Sequence, residues 1–119
     1  MKTETANKKL AGILAKVNKE GIQAKGLIDE LKSLREDALK EQDPLVVKVL
    51  RLTYEYLEAN KSFDVEAQYE EDDEGNAFAI EIDDKENLVY LLELLQNAEQ
   101  KINREEIKDY RTALKEALY

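Results

Sequence analysis

At 119 residues with a formal charge of −9, the chain is expected to form one domain over residues 1–119, burying roughly two-thirds of the surface its unfolded form exposes. Hydrophobic residues make up 43% and charged residues 38%, with one proline and four glycines, a balance that fits a helix-rich globule and excludes a disordered segment. Cysteine and histidine are both absent, which excludes disulfides, thiolate zinc sites, histidine general bases and histidine-activated nucleophiles together.

Thr3 is placed to cap a first helix in which Leu10, Ile13, Leu14 and Val17 recur at i, i+3, i+4 and i+7. Glu4 is positioned to pair with Lys8, and Gly21 to stop the helix. The apolar run "LAGILA" is only six residues long before Lys16, too short for a secretory or membrane-spanning segment, so a cytoplasmic protein is expected. Leu27, Leu31, Leu34 and Ala38, widened by Ile28 and Leu39, define a second helix ending near Glu41. With Gly21 and Gly26 between them, the two either pair antiparallel or run on as one helix, each glycine then costing about 1 kcal/mol against alanine.

Asp43 and Pro44 open a third helix as N-cap and first helical residue, and Asn60 is a fitting stop. Leu45, Val46, Val49, Leu50, Thr53, Tyr56 and Leu57, broadened by Val47 and Leu52, cover enough of its circumference to predict the most buried helix. The period then changes from 3.6 to 2. Phe63, Val65, Ala67 and Tyr69 alternate with polar residues, as do Phe78, Ile80 and Ile82, predicting a β-hairpin with one apolar face. An isolated hairpin is marginal in water, so the helices must cover that face.

Asp83 and Glu86 stand at capping-box spacing ahead of Leu88, Val89, Leu91, Leu92, Leu95, Ala98 and Ile102. Asn103 and Glu106 repeat the spacing ahead of Ile107, Tyr110, Leu114, Ala117 and Leu118. Three helices, a hairpin and two helices make an α+β fold, a helical bundle with the hairpin packed on one side.

The acidity is local. Residues 63–86 hold eleven acids and one base, a charge of −10, against sixteen acids and seventeen bases elsewhere. Asp64, Glu66 and Glu70 share the solvent face of the first strand and Glu81 and Asp83 that of the second, with Glu71, Asp72, Asp73 and Glu74 at the tip. The plainest reading is a solvated edge that blocks sheet aggregation. The functional reading is a surface for a basic partner protein, which a concentrated single-sign patch attracts. One such partner is a nucleic-acid-binding protein whose groove the carboxylates enter in place of phosphates.

A divalent cation is a further candidate. With Glu70 as position 1 of a twelve-residue loop, Asp72, Glu74, Gly75, Asn76 and Glu81 fall at positions 3, 5, 6, 7 and 12, a spacing similar to the EF-hand calcium loop. Glu at positions 1 and 5, and strands in place of flanking helices, depart from that motif. Weak binding is what the cluster itself supports.

Ser33 and Ser62 lie in neither a GxSxG nor an SxxK context, and no phosphate-binding glycine motif occurs. Enzymatic activity and a cofactor are therefore not expected; carboxylates, lysines, tyrosines and oxygen-ligated metals are the catalytic options that remain, with paired carboxylates and Mg²⁺ the third reading of the chain. No basic run is present, so direct binding to nucleic acid or an anionic membrane is not expected either. The sequence is read as a small acidic interaction module of adaptor, inhibitor or immunity type, with a ligand-free structural homodimer as the alternative.

Overall fold

Thr3 Oγ1 accepts the Ala6 N–H and opens α1 (Glu4–Glu20) in the computed structural model, which describes all of residues 1–119. Gly21 ends the helix at φ 85° and Gly26 precedes α2 (Leu27–Lys40) at φ 80°. Both lie in the left-handed region that favours glycine. They therefore separate two helices, which Lys9–Asp37 at 2.8 Å and Lys16–Glu30 tie together antiparallel.

Asp43 caps α3 (Pro44–Asn60), accepting the Val46 N–H at 3.3 Å. Eight residues of α3 are buried, more than in any other helix, as its broad apolar face predicts. Asp83 caps α4 (Asp84–Gln96) by accepting the Glu86 N–H at 2.8 Å, and α5 covers Lys101–Leu118. No helix is long and apolar enough to cross a membrane.

The helices close a ring in the order α1, α2, α3, α5, α4. A ring of five cannot alternate direction throughout, and α3 with α5 is the parallel pair. Arg104 at the start of α5 meets Asp43 at the start of α3 at 2.9 Å, while Tyr119 after α5 donates to Glu55 late in α3 at 3.0 Å. The Met1 ammonium, donating to the Leu95 and Gln96 carbonyls, fixes α1 antiparallel to α4. Thirty buried residues form one core inside this ring. α3 and α4 are not neighbours in the ring, so residues 61–83 form a crossover between them, with Phe63 against Tyr110 of α5.

The hairpin occupies the crossover but differs from the expected one. Its paired strands are short, β1 (Tyr69–Glu71) and β2 (Ala77–Ala79), and residues 69–78 are all exposed. The packing on one side is supplied by the unpaired root, where Phe63, Val65 and Ala67 are buried. Asp73, Glu74 and Gly75 make a three-residue loop, with Gly75 at φ 82° and the Asp72 N–H donating to the Asn76 carbonyl at 2.9 Å. That loop pairs Tyr69 with Ala79 and Glu70 with Phe78. The two apolar alternations are thus one residue out of phase, and the single apolar face read from the sequence does not form. Tyr69 and Phe78 point to opposite faces of the ribbon, 58% and 47% exposed.

Three smaller expectations also change. α5 begins at Lys101, so Asn103 is not its cap; its side chain donates instead to the Asn97 carbonyl at 3.0 Å. Ile102 is consequently on the outer face of the first turn of α5, 76% exposed, and not on the α4 stripe. Leu39 is exposed because it stands one residue past the buried stripe that ends at Ala38, Ala117 is exposed in the last turn of α5, and Leu118 is half-buried.

Candidate functional site

The extended root is held by a buried polar chain that joins three elements. Asn87, in the first turn of α4, donates through Nδ2 to the Phe63 and Val65 carbonyls, each at 2.9 Å. Tyr110 of α5 donates to Asn87 Oδ1 at 2.6 Å, and Gln68 Nε2 donates to the Tyr110 hydroxyl at 2.8 Å. These bonds satisfy carbonyls that have no strand partner. Phe63 enters between Tyr56, edge-on at 6.0 Å, and Tyr110, parallel at 6.3 Å between ring centres.

The nine carboxylates singled out by sequence divide according to what they do. Asp64 accepts from the Tyr56 hydroxyl and from Ser62 Oγ at 3.1 Å, and the Tyr56 bond holds its carboxyl below the usual aspartate range. Asp72 accepts the Glu74 and Asn76 N–H groups at 2.9 Å, and the Asn76 bond in particular lowers its pKa. Asp83 is the α4 cap. These three are structural, and they leave Glu66, Glu70, Glu71, Asp73, Glu74 and Glu81 facing solvent.

The nine acids do not all gather at the tip. Asp64, Glu66 and Glu81 line one cleft of about 380 Å³ at the ribbon root, with Asn87 at its base. A second cleft of about 210 Å³ is lined by Gln68, Tyr69 and Ile80 of the ribbon and by Tyr90, Glu106 and Asp109 of the helices. Burial, then Glu105 and Glu106, raise the Asp109 pKa. This helical acid group extends the negative surface from the arm onto α5, and sequence reading passed over it. Its signal was present as acids at 105, 106 and 109, one face of a helix.

For a cation the arrangement is poor. No three carboxylates converge as a metal site, and Asp72, at the third position of the calcium-type spacing, is occupied by loop N–H groups. The loop that the spacing suggested is a tight turn closed on itself. Positive charge, by contrast, is more concentrated than the sequence indicated, because α3 and α5 bring Lys48, Arg111 and Lys115 to one groove.

The tyrosines that frame the root make the fold alkali-sensitive. Burial and the Asp64 bond push the Tyr56 pKa up to about 12, the bond to Glu106 and burial push Tyr90 up to about 12, and burial raises Tyr110 strongly. A hydroxyl whose folded pKa is raised stabilises the fold fully below its unfolded pKa of about 10, and that contribution is lost as pH rises towards the folded value. Stability is therefore expected to fall steeply from about pH 10 to 12. Circular dichroism and phenolate absorbance followed together check this: ionisation of these three tyrosines should coincide with loss of helix, and their ionisation in a folded protein contradicts it.

Compared with protein-family models, with curated proteins and with solved structures, the chain gives no match.

Proposed function

We propose that this protein binds a partner with a basic surface through its acidic arm, acting as an adaptor or inhibitor. The observation that carries the reading is charge segregation, a −10 segment standing off a helical body whose remaining charges nearly balance. Such a patch accelerates encounter with an opposite charge, by ten- to a thousandfold in order of magnitude at low salt. Charge alone gives little residence. Tyr69 and Phe78, exposed among the carboxylates, supply aromatic anchors of the kind that dominate interface energies. The exposed β1 and β2 edges offer main-chain hydrogen bonds as well.

The test uses two variants that spare the structural acids Asp64, Asp72 and Asp83. One carries Glu70→Gln, Glu71→Gln, Asp73→Asn and Glu74→Gln; the other carries Phe78→Ser alone. Proteins retained from a lysate of the source organism are purified, and their affinities measured at two salt concentrations. The charge variant is expected to lose on the order of tenfold or more in association rate, mainly at low salt. Phe78→Ser is expected to weaken a specific partner by about tenfold and to leave non-specific polycation binding unchanged. Affinities that neither variant alters return the arm to a solvated edge.

A further inference from the structure

We propose that the groove between α3 and α5 binds a phosphorylated ligand of mononucleotide size, its phosphate on Lys48, Arg111 and Lys115 and its planar ring against Tyr119. The proposal is independent of the acidic arm, which lies on the other side of α5.

Lys48 comes from α3, and Arg111 and Lys115 stand one turn apart on α5. Because these two helices are parallel, the three side chains line one groove of about 460 Å³, within the range of small-molecule sites. None of the three is within ion-pairing reach of a carboxylate, although Arg51, Arg104 and Lys108 nearby all have one. Other cations of the chain are unpaired too, so what sets these three apart is that they gather in one groove of a chain with nine surplus negative charges. Like charges at i and i+4 destabilise a helix slightly, so Arg111 with Lys115 is not explained by helix stability. Lys115 in the last turn suits the helix dipole, but Arg111 and Lys48 lie outside the last turns of their helices.

The donor set fits phosphate. A guanidinium presents a planar fork to two phosphate oxygens, two ammonium groups add point charges, and the Thr112 hydroxyl completes the lining. Glu116 is the one acid there, leaving a local charge of +2. Tyr119 supplies the selectivity for a ring. Its hydroxyl donates to Glu55 at 3.0 Å, which fixes an aromatic face that is otherwise 79% exposed at the end of the groove. Base–aromatic stacking of this kind tolerates any base.

The experiment is an amide chemical-shift titration of the isotopically labelled protein at low salt, with ADP and with inorganic pyrophosphate as probes. ADP is expected to shift the amides around Lys48, Thr112 and Lys115, and to bind about tenfold more tightly than pyrophosphate. The double variant Lys48→Gln/Arg111→Gln should weaken ADP at least about tenfold, and Tyr119→Ala should reduce ADP to the pyrophosphate level. These side chains are on the surface, so an unchanged remainder of the spectrum certifies the fold. The proposal is overturned by an absence of groove shifts at millimolar ADP, or by equal affinity for the two probes. Concentration-dependent shifts of the same amides without any ligand would overturn it too, assigning the groove to the acidic arm of a second copy.

Discussion

Phe63→Ala is expected to lower the unfolding free energy by about 3–5 kcal/mol, a large share of the roughly 5–15 kcal/mol that holds a domain together. The ring is fully buried between Tyr56 and Tyr110. What places the loss high in that range is the inability of the site to collapse. Tyr56 is tied to Asp64 and Tyr110 to Asn87, so neither neighbour can move into the space without giving up a hydrogen bond. Urea denaturation checks the value, with Phe63→Leu as the control that retains most of the volume and should lose much less. Equal losses in the two variants would contradict this, because volume retained by leucine would then recover nothing and the aromatic contacts alone would account for the loss.

Because Phe63 anchors the crossover, the same variant bears on how the arm is presented. The helical ring is built from contacts among α1 to α5, and the paired strands pack on each other and scarcely on any helix. The arm is positioned by its root alone. Loss of the Phe63 pin should therefore raise amide exchange first over residues 63–69, ahead of α3 and α4.

How much of this was legible follows the range of the interactions. The helix starts at Thr3, Asp43 and Asp83 were readable because a cap is a local contract between one side chain and an N–H three residues on. Gly21 and Gly26 marked a break for an equally local reason. The hairpin register was not readable, because "EEDDEGN" accommodates loops of several lengths and each one-residue change turns a strand over. Alternation in both strands was real, but it reports two different surroundings, the helical core for Phe63, Val65 and Ala67 and the open ribbon for Phe78. The charge groups show the same divide. The acidic run was visible as contiguous sequence, whereas the basic groove joins Lys48 to residues more than sixty positions away. Asn87 gave a faint signal that was missed, a polar residue four before Leu91 and eight before Leu95 on the buried face of its helix.

That residue carries the second large effect. Asn87→Ala removes both donors to the Phe63 and Val65 carbonyls and the Oδ1 acceptor of Tyr110. Each buried group left unpaired costs about 1–3 kcal/mol, and the Tyr110 hydroxyl keeps only the Gln68 donor and a long 3.4 Å bond to the Asn87 carbonyl. A total loss of about 3–5 kcal/mol is expected from urea denaturation at neutral pH. Asn87→Asp separates this network from mere space filling, since it preserves shape and the acceptor but turns an oxygen towards two carbonyl oxygens. Its folded pKa must then rise above the ordinary aspartate value of about 3.9, because both burial and the facing carbonyls disfavour the charge. A carboxyl raised in the folded state stabilises relative to its ionised form only when protonated, so the variant should be least stable at neutral pH and approach wild type as pH falls through the raised value. Acid also removes the contribution of Asp64, but it does so in both proteins, and the difference between them isolates residue 87. A stability difference that stays constant from neutral pH down to about pH 4 would show that Asn87 is held by packing and not by the hydrogen bonds that carry the arm.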